Sequence, residues 1–100
     1  MGKYSDWDFS QDMPPTGLSA PVQALWWIGK GDWQLGPDWE QAHEICQTRE
    51  GDMAHDWVHA LAHWIEGDEF NSGYWYRRAG QSRVSEDAKE EWTHILGQLG

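Results

Sequence analysis

Cysteine occurs once, at Cys46, so no disulfide can form within the chain and a zinc site built only from cysteines is excluded. Positive charge is scarce. Seven Lys and Arg stand against 17 Asp and Glu, a formal charge of −10, which repels phosphate backbones and anionic headgroups and sets aside nucleic-acid and membrane-surface binding. No stretch reaches the roughly 18 consecutive apolar residues of a membrane-spanning helix, and "MGKYSDWDFSQDMPP" lacks the basic and apolar regions of a secretory leader. The expectation is a soluble, cytoplasmic protein. Beta-branched residues are few and no period-two alternation occurs, so a sheet has no evident source.

What the chain has in excess is tryptophan. Nine in 100 residues, each able to bury on the order of 200 Å², supply a core for a single small domain. Residues 1–18 show no period and read as an irregular arm, with Trp7 and Phe9 as its anchors, while residues 19–100 read as one helical domain. "SAPVQALWWIGK" predicts a helix from about Ala20, with Ser19 as N-cap and Pro21 in the tolerant first turn. A second helix starts at Pro37 or Asp38 and carries Trp39, Ala42, Ile45 and Cys46 at helical spacing, and a third spans about Asp52 to Glu66. A fourth, around "DEFNSGYWYRRAG", contains an interior glycine at a cost of about 1 kcal/mol. The last covers about 85–98, with Ser85 as its predicted N-cap.

A 36-residue shift superposes Ala24 on Ala60, Leu25 on Leu61, Gly31 on Gly67, Asp32 on Asp68 and Trp39 on Trp75. That period is near the 34 residues of tetratricopeptide units. The expected fold is therefore all-α, with two tetratricopeptide-like helical hairpins, about 20–49 and 52–80, and a C-terminal capping helix.

The strings "ALWWIGKGDW", "AHEICQ", "WVHALAHWIEGD" and "YWYRRAG", in that order, resemble a family of small bacterial proteins to which no activity is assigned. The resemblance covers about residues 24–80 and the tryptophan of "EEWTHIL". It implies a shared helical fold and brings no catalytic residues. This chain departs from that pattern in a longer turn after the first "GDW" and in Trp64, where the family carries a basic residue.

On the third helix Asp52, His55, His59, His63 and Glu66 fall within an arc of roughly 80°, opposite the tryptophan face. Imidazoles at i and i+4 with a carboxylate three residues on can hold zinc or another divalent transition metal. His59, His63 and Glu66 are the candidate ligands, with His55 and His43 as further donors; the competing reading leaves Asp52, His55, Asp56 and Glu66 solvated while the rings of His59 and His63 cover a neighbouring helix. His43 shares the stripe of Trp39, Ala42 and Cys46 and reads as an inward-facing structural histidine, and Cys46 as core packing.

Arg77 and Arg78 concentrate positive charge beside Asn71, Tyr74 and Tyr76. These five form either an anion pocket for a carboxylate or phosphate, or a face in which the arginines pair with Asp68 and Glu69. Two functions follow. One is a non-catalytic binding module for a protein or peptide partner. The other is a metal-dependent, hydrolase-like or anion-binding site, with Arg77 as clamp.

Overall fold

The computed structural model describes residues 7–100, so the first six residues of the predicted arm lie outside the described part. Five helices follow in order: α1 Ala20–Lys30, α2 Pro37–Gln47, α3 Met53–Ile65, α4 Glu69–Ala79 and α5 Ala88–Leu99. Among the described residues there is no strand, and no helix is long and apolar enough to cross a membrane.

Short polar side chains start three of these helices. The carboxylates of Asp52, Asp68 and Asp87 accept from the backbone N–H of His55, Asn71 and Glu90 at 3.0–3.1 Å, which satisfies donors that a helix start leaves open. Asp87, not the expected Ser85, caps α5. The Ser85 backbone N–H is taken instead by the buried carboxylate of Glu91, which also accepts from Val84 N–H and from Tyr76 Oη at 2.9 Å. That one side chain ties the α4 to α5 loop down, so the helix begins two residues later. Gly80 closes α4 at φ 70°, a left-handed conformation that glycine adopts without a side-chain clash.

α1 pairs with α2 and α3 with α4, as the repeat offset predicts, and α3 lies at the centre against all four others. α5 packs across α1 and α3, so the outer side of α4 stays uncovered. The core is built from Leu25, Trp26 and Ile28 of α1, Trp57, Val58 and Leu61 of α3, and Trp92, Ile95 and Leu96 of α5. None of the nine tryptophans is exposed.

From Trp7 on, the described part of the arm is irregular and tied to the body. Lys30 Nζ donates to the carbonyls of Phe9 and Gln11 at 2.9 and 2.7 Å, while the Phe9 ring lies 5.8 Å from Trp26 and 6.4 Å from Trp92. Gly29 makes this possible. A Cβ there would stand 2.6 Å from Phe9 Cζ and 3.0 Å from Trp92 Cζ2. Gly29→Ala is therefore expected to cost about 1–2 kcal/mol despite alanine's better helix propensity, with loss of the near-ultraviolet circular dichroism that the packed arm contributes.

Candidate metal centre

One indole hydrogen bond and one hydroxyl hydrogen bond set the site. Chain reversal about residues 48–52 brings α2 back along α3, where Trp39 Nε1 donates to the carbonyl of Ala62 at 2.8 Å. With that ring fixed, His43 one turn later stacks on it at 4.9 Å and 9°, and its Nε2 points at α3. On the other side Ser72 Oγ donates to the carbonyl of Ala60 at 2.8 Å, which seats α4 so that Trp75 stacks on His59 at 4.0 Å.

Between the two indoles three imidazoles converge. His59 and His63, one turn apart on α3, stack at 4.8 Å, and His43 meets both rings edge-on at 4.8 and 5.1 Å. Nε2 of His43 and Nε2 of His59 are 3.1 Å apart. One donor nitrogen from each of the three lies within 4.8 Å of the others. Four-coordinate zinc with nitrogens at 2.0–2.1 Å sets ligand atoms roughly 3.3 Å apart, so the His43–His59 pair already has near-ligand spacing, with a His63 nitrogen within 4.8 Å of both.

Glu66, a candidate ligand from the sequence, lies behind His63 and forms with His63 and Asp68 a second group of donor atoms within 4.8 Å of one another. Its Oε2 accepts from His63 Nδ1 at 2.6 Å, which holds the proton on Nδ1 and leaves the Nε2 lone pair of His63 for the cluster. A carboxylate behind a histidine is the usual support of a metal ligand, orienting the ring and raising its basicity. His59 is buried and its Nδ1 has no partner, whereas His43 and His63 are half-buried. Burial drives the pKa of His59 down to about 3, helped by the neighbouring His43 and His63, and burial likewise lowers that of His43. The neutral, metal-binding form of both rings is thereby favoured over imidazolium.

The predicted row does not act as one unit. His55 is buried and its Nδ1 lies 2.7 Å from Asp52, whose carboxylate that contact holds below the usual range; His55 is no part of the three-imidazole set. The competing reading of a partly solvated face fails at His55 and Asp56, which are buried, while His59 packs against neighbouring helices as that reading has it. The five candidate anion residues separate. Tyr76 points inward to Glu91, and burial raises its phenol pKa; Asn71 donates to Asp68 at 2.7 Å; Arg78 donates to Tyr74 Oη at 2.9 Å; and Arg77 is exposed. Glu69 is paired by Arg83 at 2.8 Å, not by Arg77 or Arg78. Cys46 is buried in the core as expected, and desolvation raises its thiol pKa. A cavity of about 270 Å³ lined by Trp7, Leu18, Val22 and Leu99 shares no residue with the imidazoles.

No protein-family model matches this chain, and no curated protein or solved structure matches it either. The site's own geometry therefore carries the functional argument.

Proposed function

We propose that this protein is a small helical metal-binding module whose ligands are His43, His59 and His63. The observation that carries the reading is the convergence of three imidazoles from two helices, with Glu66 fixing the tautomer of the outermost. Three neutral nitrogens suit zinc, nickel or copper(II), and leave the fourth position of a tetrahedral ion to water or to a group brought by a partner. The binding-module and metal readings of the sequence thus merge, with the ion as the ligand. The hydrolase alternative loses its clamp: at 100° per residue, Arg77 falls on the face of α4 away from Trp75, and Trp75 is the residue that touches the site. The two hairpins, tetratricopeptide-like in period, serve to hold one ligand helix against another.

Titration of tag-free protein with zinc, followed by calorimetry, is expected to give one equivalent bound. Cobalt(II) in its place should show the intense visible bands of a four-coordinate site. At a free zinc concentration 100 times Kd the folded state gains about 2.7 kcal/mol, which for a domain this size raises Tm by about 10–15 °C. His43→Ala and His59→Ala should each abolish both effects, and His55→Ala should leave them intact. Equal binding by parent and His59→Ala would sink the proposal.

A further inference from the structure

Helix α3 and its two caps carry three carboxyl–imidazole pairs at a spacing of three residues: Asp52 with His55, Asp56 with His59, and His63 with Glu66. The outer two are closed, with the ring Nδ1 lying 2.7 Å from Asp52 and 2.6 Å from Glu66. The middle one is open. Asp56 Oδ2 and His59 Nδ1 are both buried and neither has a hydrogen-bond partner, a costly state for two polar atoms in a protein interior. Side chains on a helix lean toward its amino end, so the His59 ring lies over the turn that carries Asp56. Cys46 and Arg78 are close enough to feel the charge of Asp56, but neither bonds to Oδ2, and Arg78 donates to Tyr74 Oη. The other oxygen, Oδ1, is engaged. It accepts from the Gly51 N–H at 3.1 Å, in the turn that reverses the chain between α2 and α3.

The three-imidazole reading, on which this inference rests, accounts for the open pair and for what closes it. The 3.1 Å contact between Nε2 of His43 and Nε2 of His59 needs a proton on one of those two nitrogens. With that proton on His59, its Nδ1 is a bare acceptor like Oδ2 of Asp56, and nothing draws the two together. An ion held by both Nε2 atoms removes the choice: the His59 ring proton leaves Nε2 for solvent, another is taken from solvent at Nδ1, and the ring stays neutral. We propose that Asp56 is the positioning residue of His59, its Oδ2 accepting the Nδ1–H that ion binding creates. Asp56 then joins the two halves of the site, with Oδ1 on the turn that sets His43 in place and Oδ2 on the ring that His43 meets. Glu66 already plays this part for His63. A buried ring N–H with no acceptor would oppose binding, whereas a carboxyl behind a metal-bound imidazole orients the ring and raises its basicity.

Asp56→Asn separates the two oxygens, because the amide oxygen can still accept from Gly51 while the amide nitrogen, in place of Oδ2, sets a donor against a donor. Zinc affinity, measured by competition with a chromophoric chelator, is expected to fall about 10–100-fold in this variant. A purely structural role could weaken binding too, so the ring itself supplies the second readout. In long-range nitrogen–proton NMR spectra of the zinc-loaded parent, His59 should show a metal-bound Nε2 and a protonated Nδ1 whose proton is shifted downfield and exchanges slowly. In Asp56→Asn that proton should move upfield while the Nδ1 proton of His63 stays in place, and Glu66→Gln should do the reverse. The parent spectrum decides even if the variant fails to fold: zinc on Nδ1 of His59, or an Nδ1 proton without the downfield shift, overturns the proposal. Equal affinity in Asp56→Asn, or an unmoved His59 signal, overturns it with the metal site still standing, whereas a parent that binds no zinc overturns both.

Discussion

Trp92→Ala is expected to remove about 3–5 kcal/mol, the usual cost of emptying a buried tryptophan site, out of the roughly 5–15 kcal/mol that holds a domain of this size. Trp92 is 0% exposed, and its Nε1 donates to the carbonyl of Leu25 at 2.7 Å. Trp7 at 6.1 Å, Phe9 at 6.4 Å and Trp33 at 5.3 Å close around it in edge-on contacts. Truncation leaves a cavity that three other aromatic rings line, and those rings are held by separate segments, so the hole cannot collapse without moving the arm, the first turn and α5 together. Trp92→Phe keeps most of the volume and loses the hydrogen bond, for which about 1–2 kcal/mol is expected. Urea denaturation of the two variants separates packing from hydrogen bonding. A loss under 1 kcal/mol in Trp92→Ala would mean that α5 is not part of the cooperative core.

The second large effect is on acid stability. His59 titrates near pH 6.5 in an unfolded chain and near 3 in the fold, because burial penalises its charged form. Below pH 6.5 the unfolded state takes up a proton that the native state refuses. Stability falls with pH through that window, and His43 contributes with the same sign. The carboxylates of Asp52 and Asp68, lowered by hydrogen bonds from His55 and Asn71, act with the same sign but in a lower window: their contribution is present above pH 3.8 and is lost progressively as pH falls below it. The interval from pH 6.5 to 4 thus reports the imidazoles.

Across that interval a loss on the order of 2 kcal/mol is expected, less than the full shift implies because the neighbouring rings are half-exposed. His59→Leu, with no ring to protonate, should flatten the profile and also abolish metal binding. Zinc should flatten it in the parent too, since an ion occupying the nitrogens keeps protons off them. A profile in His59→Leu as steep as in the parent would refute the assignment.

The helices were legible in the sequence to within two residues at most ends because their signals are local: aspartate caps, prolines in first turns, glycine stops and a three-to-four spacing of apolar residues. The hairpin pairing was legible through the 36-residue offset. Ser85 misled because the residue that competes for its backbone, Glu91, reaches it only when α5 has folded back.

The site was half visible. His59, His63 and Glu66 share a helix, so spacing found them, but spacing treats His55 as their equal. Asp52, three residues before His55 and already a helix cap, is the signal that claims it. His43 was read as inward-facing and structural, and its place among the ligands comes from tertiary geometry: reversing the chain about residues 48–52 sets position 43 against 59, and position 39 against 62. The anion reading grouped residues that the fold separates, for a similar reason. Tyr74 and Tyr76 are two apart on a helix and so point to different sides, one to solvent and one to a buried carboxylate.

The contact between Trp92 and Leu25 spans 67 positions of sequence, and it imposes an order of events in time. As the chain is synthesised, α1 to α4 emerge with the seat for Trp92 still empty and Phe9, Trp26 and Trp33 facing water around it. The paired hairpins can form early from neighbouring residues, but the domain cannot close until α5 arrives. Until then its most aromatic surface is exposed, and the protein is at its most vulnerable to aggregation or to a protease one helix short of completion.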